Sequence, residues 1–191
     1  MTLTLEEQDG YILEKINKNI ENENPVKFVD TSNKHDFGYT YKNQYRLSIY
    51  NIRISCILNI LGVVPRKSLI LQFPKWLHPS MYNFFILGVF DGDGCVSRFI
   101  REKSAPQINL TITSTEDFCN ALIDICARYI GIRGHLYDAS CHNGVTTVFT
   151  LSGPLVVKKF MEWMYRDAQI FLIRKYNRYC EYFGIDNTVT E

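Results

Sequence analysis

Two aspartates alternate with two glycines at residues 91–94, directly after a strongly apolar stretch. Residues 78–90 carry apolar side chains on most faces of a helix, and Pro79 is tolerated in a first helical turn. We therefore predict a buried helix over 78–90, followed by a DGDG turn. A carboxylate at a helix C-terminus is destabilised by ~0.3–1 kcal/mol, because it meets the negative end of the helix dipole. Asp91 and Asp93 consequently require a compensating cation.

An isolated DGDG sequence is more often a plain turn, because Asp and Gly both tolerate left-handed backbone geometry. The residues that follow favour a functional interpretation instead. Two strands are predicted, at 95–99 and 107–113, and the second alternates apolar residues with amide and hydroxyl side chains. An ordinary solvent-exposed strand face more often carries Lys and Glu, whereas amides and hydroxyls can read base edges in the major groove of DNA.

The chain contains a loose internal repeat that relates residues 4–67 to residues 113–175. We predict a helix start in each half, as a capping box at Thr4–Glu7 and as a second start at Ser114–Asp117. Each half then continues with two alternating segments, predicted as a hairpin, and with a helix. These segments are 26–29, 45–50 and 52–61 in the first half, and 133–137, 146–151 and 154–165 in the second. We expect no counterpart of residues 79–113 in the first half, because the chain begins too late.

Composition sets limits on the class of protein. A net charge of +1 does not by itself indicate a nucleic-acid partner, but clustered Lys and Arg matter more, and residues 158–178 are basic. The six cysteines form no C-x-x-C pair and no zinc-like spacing, so we expect reduced, mostly buried thiols. The sequence contains neither a membrane-spanning stretch nor a signal peptide, and we expect a soluble, cytoplasmic protein.

Residues 86–94, with the sequence ILGVFDGDG, resemble the LAGLIDADG motif of homing endonucleases, since they retain its first Gly, both acids and its final Gly. The segments Trp163–Ala168 and Leu172–Lys175 resemble the closing part of many phage- and intron-encoded members. The resemblance implies an α+β fold, built from an α-β-β-α-β-β-α repeat with an antiparallel, saddle-shaped sheet. We accordingly predict a partial first repeat over 1–75, which lacks its motif helix, and a complete repeat over 76–191.

The same resemblance implies roles for the motif residues. Two motif helices pack side by side in this family, so Gly88 and Asp91 are expected at a helix interface, with Asp91 in a capping or structural role. The second acid of the motif is the metal ligand, which places a divalent ion at Asp93 and the adjoining Gly92. Hard oxygen ligands favour Mg²⁺, with Mn²⁺ as a substitute.

Lys175, and Lys67 in the partial repeat, resemble the basic residues that flank the metal centre of the family. An ordinary surface lysine is the alternative for both. Metal-activated water at Asp93, with both lysines offsetting negative charge, would hydrolyse a phosphodiester bond of double-stranded DNA. Because cleavage of two strands uses two motif helices and this chain has one, we expect a homodimer or a separate chain that supplies the first motif.

We predict DNA contacts from polar and basic side chains on or beside the strands, namely Arg98, Arg101, Gln107, Asn109, Thr111, Arg133, His135 and Tyr137. Packing within a strand is an equally good interpretation of His135 and Tyr137.

Two alternative functions remain open at the level of sequence. Val89–Cys95 is close to the D-x-D-G-T signature of haloacid dehalogenase-type phosphatases, in which the first acid is the nucleophile. However, Cys95 replaces the Thr, and the preceding segment is predicted as a helix where that family needs a buried strand. The second alternative keeps the fold without DNA cleavage, as an inactive DNA-binding remnant or an RNA maturase.

Overall fold

Contacts divide the chain into two compact units, one over Met1–Leu58 and one that begins at Asn59. The structure is a computed structural model that describes residues 1–31, 41–63, 70–99, 107–138 and 146–186, with the backbone of 35–36 and 39–40. Lys67 and Arg101, two of the predicted site residues, lie outside the described residues. The repeat boundary between residues 75 and 76 stays a prediction.

The first unit contains a three-stranded antiparallel sheet in the order β1-β5-β2, beside a short β3–β4 pair. Its strands are β1 (Thr2–Glu6), β2 (Lys27–Val29), β3 (His35–Asp36), β4 (Tyr39–Thr40) and β5 (Gln44–Ser48). Helix α1 (Gly10–Asn19) connects β1 to β2, and α2 (Ile52–Ile60) follows β5. Leu13, Leu47 and Ile49 form a small buried core between α1 and the sheet.

The second unit follows the predicted α-β-β-α-β-β-α order and adds one further helix. Its helices are α3 (Tyr82–Asp93), α4 (Glu116–Ile125), α5 (Pro154–Met164) and α6 (Ile173–Phe183). Its strands are β6 (Gly94–Phe99), β7 (Gln107–Ser114), β8 (His135–Asp138) and β9 (Thr147–Ser152). They pair antiparallel in the order β6-β7-β9-β8. The predicted α+β class is thereby confirmed.

The core of the second unit lies between the apolar face of this sheet and its helices. Strand β7 contributes Ile108, Leu110 and Ile112, all fully buried, as the alternation of its sequence predicts. Helix α3 contributes Ile86, Leu87 and Phe90 to the same core. One side of α3 is therefore packed beneath the sheet.

The two units share a succession of strand, helix, strand, strand and helix. The sheet order β1-β5-β2 of the first unit corresponds to β7-β9-β8 of the second. Helix α1 connects β1 to β2, and α4 connects β7 to β8 in the same way. Among the described residues, the first unit has no counterpart of α3 and β6. The internal repeat is thus real at the level of topology, and it begins one strand earlier than the sequence comparison predicted.

The predicted capping box at Thr4–Glu7 is wrong. Thr4 lies in β1, where it pairs with Arg46 of β5, and helix α1 begins only at Gly10. The reason is the alternation of residues 2–6, which lets Leu3 and Leu5 pack against the small core while strand pairing satisfies the backbone. In the second unit the predicted start is confirmed, with Thr115 as the N-cap that accepts a hydrogen bond from the Phe118 N–H at 3.2 Å.

Five of the six cysteines are described, and all five are free thiols. Cys119, Cys126 and Cys180 are buried, and burial raises the pKa of the Cys126 thiol to about 12. Cys56 and Cys95 are exposed. Among the described residues, none of the helices has the length and apolar character needed to cross a membrane.

Candidate functional site

The motif helix runs further than predicted. Helix α3 continues through Asp93, and Gly94 is already the first residue of β6, so the DGDG segment is not a separate turn. Gly94 takes an extended conformation, and a Cβ at this position would lie 2.6 Å from the carbonyl oxygen of Phe90. A glycine therefore permits the helix to pass directly into the strand.

The two acids of the motif occupy different environments in the last turn of α3. Asp93 and Gly92 are exposed, whereas Asp91 is half-buried. One carboxylate oxygen of Asp91, Oδ2, accepts a hydrogen bond from the backbone N–H of Leu172 at 2.9 Å. Leu172 is the N-cap of α6, so this hydrogen bond joins the end of α3 to the start of α6.

Lys175 supplies the compensating cation at the end of α3. Its side chain is only 7% exposed, and its Nζ donates hydrogen bonds to three backbone carbonyls. The acceptors are the oxygens of Phe90 at 2.6 Å, Asp91 at 2.8 Å and Gly94 at 2.6 Å. The surface-lysine interpretation is wrong for this residue, because Lys175 is buried against the helix end.

The charge state of Lys175 reflects two opposing effects. Burial lowers the pKa of its ammonium, and the nearby Asp91 carboxylate raises it in part. The ammonium also lies 5.0 Å from the centroid of the Phe90 ring, a distance suited to a cation–π contact. Carbonyl dipoles, a carboxylate and an aromatic face together offset part of the cost of burying this charge.

Most of the predicted DNA-contacting residues share one face of the four-stranded sheet. Residues that pair directly across strands point to the same side, and one such row runs Cys95, Thr111, Thr150 and His135. Asn109 belongs to the row beside it, and Gln107 and Tyr137 occupy two further rows of the same face. His135 is exposed and Tyr137 is 57% exposed, so packing within a strand does not account for them.

Arg98 does not join this face. It pairs with Ile108, which is fully buried, and therefore projects from the side of the sheet that carries the core. Its guanidinium lies 5.7 Å from the ring centroid of Tyr182 in α6. Arg133 is exposed in the segment that leads into β8, two residues before His135.

The first unit carries a second polar sheet face that sequence reasoning missed. Thr4, Arg46 and Lys27 form a row across its three strands, and all three are exposed. By strand order and register this row corresponds to Thr111, Thr150 and His135 of the second unit. The period-two alternation of residues 2–6 was the signal that could have revealed this face.

Solved structures resemble this chain over most of its length. The I-LtrWI LAGLIDADG homing endonuclease bound to target DNA has a TM-score of 0.56 at 12% identity, over 96% of this chain and 78% of that one. The I-SmaMI LAGLIDADG homing endonuclease bound to cleaved DNA has a TM-score of 0.58 at 11% identity, over 96% and 76%. The chain has the LAGLIDADG homing-endonuclease fold. No protein-family model matches it, and no curated protein matches it in sequence.

The LAGLIDADG fold argues against the phosphatase alternative. A haloacid dehalogenase-type site needs the first acid directly after a buried strand. Asp91 instead lies in the last turn of a helix, and every strand pair in the described residues is antiparallel. The first three residues of the DGDG sequence therefore form the end of a helix in this chain, and the fourth begins a strand.

The end of the motif helix presents one exposed carboxylate, that of Asp93. Among the described residues, no group of three or more His, Cys, Asp and Glu side chains is arranged to hold a metal ion. Mg²⁺ keeps several of its waters and commonly takes only one or two carboxylates from a protein. The exposed carboxylate of Asp93 and the adjoining Gly92 backbone fit one side of such a hydrated ion.

Proposed function

We propose that this chain is a subunit of a site-specific endonuclease that binds double-stranded DNA and hydrolyses its phosphodiester bonds with a divalent metal ion. One observation carries the proposal. The exposed carboxylate of Asp93 ends the motif helix immediately before β6, and Cys95, two residues later, belongs to the polar face of the sheet. Asp93, the candidate metal ligand, thus lies directly beside a polar sheet face that could contact base edges of DNA.

In this proposal, different residues of the chain bind the metal ion, the base edges and the phosphates. Asp93 binds the ion, and Gln107, Asn109, Thr111, His135 and Tyr137 contact base edges. Arg46 and Lys27 in the first unit, with Arg133 in the second, contact phosphates, since salt-dependent phosphate contacts supply much of the affinity for DNA. A bound Mg²⁺ or Mn²⁺ would lower the pKa of a water molecule and offset charge on the phosphate.

Both of the similar structures named above hold DNA, target DNA in one and cleaved DNA in the other, and this supports DNA as the partner. A second candidate function keeps the binding and omits the cleavage. It is favoured by the presence of only one motif helix in the described residues, because two-strand cleavage requires two. In the endonuclease, we propose that a homodimer partner or a separate chain supplies a second motif helix.

Selection from a randomised double-stranded DNA library tests the proposal. Bound sequences are recovered, and the enriched site is incubated with the protein and Mg²⁺ or Mn²⁺. We expect enrichment of one long site and metal-dependent nicking or cleavage within it. Binding without any cleavage would assign a DNA-binding protein, tighter binding to structured RNA would assign a maturase, and no enrichment of any site would overturn the proposal.

A further inference from the structure

Two helix ends in the second unit satisfy each other's backbone groups. The C-terminal turn of α3 leaves carbonyls without helical partners, and the N-terminus of α6 leaves N–H groups in the same state. Lys175, in the first turn of α6, donates to the carbonyls of Phe90, Asp91 and Gly94. Asp91, in the last turn of α3, accepts from the N–H of Leu172. The contact is reciprocal.

Each charge lies at the unfavourable end of its own helix dipole and beside the favourable end of the other helix's dipole. A cation at the C-terminus of α3 and an anion at the N-terminus of α6 each lower the free energy of the fold. The N-cap of α6 makes no side-chain hydrogen bond of its own, and α3 ends without a basic residue in its last turn. Each helix therefore depends on the other for its terminal charge.

The hydrogen bonds of Lys175 show how it affects Asp93. An ammonium has three N–H donors, and Lys175 has three backbone acceptors between 2.6 and 2.8 Å. With its donors engaged, the side chain acts on the backbone and not on a phosphate. Two of its acceptors, the carbonyls of Asp91 and Gly94, lie on either side of Asp93 in the chain.

We propose that Lys175 is a positioning residue, which fixes the backbone on both sides of Asp93 and so orients the Asp93 carboxylate toward a divalent ion. Asp91 contributes to the same effect, because its carboxylate bonds this turn to the start of α6. This inference rests on the proposed role of Asp93 as metal ligand. In this role Lys175 acts through the backbone around Asp93 and does not contact the scissile phosphate.

Amide hydrogen exchange and Mn²⁺ binding test the inference without any measurement of DNA cleavage. Lys175→Met keeps the length of the side chain and removes its donors, and Lys159→Met, at an exposed lysine of α5, is the matched control. We expect faster exchange at residues 92–94 and a 10–100-fold loss of Mn²⁺ affinity, followed by electron paramagnetic resonance. The exchange of β7 and β9 should stay unchanged, and so should the affinity for DNA.

A milder variant keeps the inference testable if Lys175→Met fails to fold. Asp91→Asn keeps an acceptor for the Leu172 N–H but removes the charge, and we expect a smaller change in the same two measurements. Unchanged exchange at residues 92–94 in Lys175→Met would overturn the inference. So would a Mn²⁺ affinity of Lys175→Met equal to that of wild type, because the Asp93 carboxylate would then be oriented without Lys175. If the wild-type protein binds no Mn²⁺, the proposed function fails, and exchange alone still decides whether Lys175 holds this turn.

Discussion

Asp91 and Lys175 meet across two helix ends, where each side chain bonds to the backbone of the other's helix. The sequence predicted that a carboxylate at the end of α3 would need a cation, and the cation proves to be a buried lysine 84 residues away. Replacement of Lys175 would remove three hydrogen bonds to backbone carbonyls at the end of α3, and replacement of Asp91 would remove the acceptor of the Leu172 N–H.

Asp93→Asn should abolish metal-dependent cleavage and leave DNA binding within a few-fold of wild type. The substitution removes the ligand charge while it retains the size of an exposed side chain. We expect cleavage to fall by more than ~100-fold, which corresponds to about 2.7 kcal/mol of transition-state stabilisation. Asp124→Asn, at an exposed aspartate of α4, is the control. Cleavage by Asp93→Asn at the wild-type rate would show that Asp93 is not the ligand.

Arg46→Gln and Lys27→Gln should each weaken DNA binding and reduce the slope of log affinity against log salt by ~1. Both residues are exposed in one row of the first sheet, on the face opposite Leu47. Lys18→Gln is the control, because Lys18 belongs to α1, which covers the apolar face. The assignment would be refuted by an identical loss of affinity in all three variants, or by none in any.

Tyr179→Phe should reduce the loss of stability at alkaline pH. Burial raises the pKa of Tyr179 to about 12, above the ordinary value of 10.0, with smaller contributions from Glu162, Tyr176 and Cys180. A raised folded-state pKa gives stability that is complete below pH 10 and is lost as the pH rises toward 12. The variant lacks this titration, so its thermal unfolding midpoint should decline less than that of wild type over this range.

The same variant should be at least as stable as wild type at pH 7. Within the described residues the Tyr179 hydroxyl is buried without a hydrogen-bond partner, and removal of such a group is worth ~1 kcal/mol. Tyr129→Phe, at a tyrosine that is 48% exposed, is the control and should change neither quantity. Strong destabilisation of Tyr179→Phe at pH 7 would mean that the hydroxyl has a partner in solution.

Two-strand cleavage by this chain should require association. Gly88 and Gly92 are exposed on α3, and a Cβ added at either would have no atom within 4 Å. Phe84 and Met81 continue the same exposed stretch of the helix, at 36% and 46% exposure. We expect a second motif helix to pack against this face, so that a monomer nicks one strand at most. Sedimentation over a concentration series, with a nicking assay beside it, measures both properties.

The Gly88→Leu variant distinguishes an effect on association from an effect on folding. Because the position is open, the variant should unfold at a midpoint within a few degrees of wild type while it loses association and double-strand cleavage. Lys159→Leu adds the same side chain to α5 and should lose neither. Double-strand breaks made by a strict monomer would refute the requirement for a second motif.

The internal repeat and the motif could be recognised from sequence because their signals are local. The alternation from Gln107 to Thr113 predicted both faces of β7, and hydroxyl residues before two acids predicted a helix start at Ser114–Asp117, where the structure has Thr115 as the N-cap of α4. The same local reasoning failed at Thr4. A threonine followed by acids is compatible with either a helix cap or a strand, and pairing with β5, forty residues away, selected the strand.

The sequence alone determined which residue types stand at the end of the motif helix and which faces of the strands are polar, because periodicity and glycine placement act over a few residues. Only the tertiary structure decided which basic residue meets that helix end, and on which side of the sheet Arg98 lies. Those outcomes depend on the packing of α6 against α3 and β6, and such packing joins positions about eighty residues apart in the chain. The family resemblance indicated Lys175 as a basic residue near a metal centre, and the fold shows that Lys175 bonds to backbone carbonyls at the end of the helix that carries Asp93.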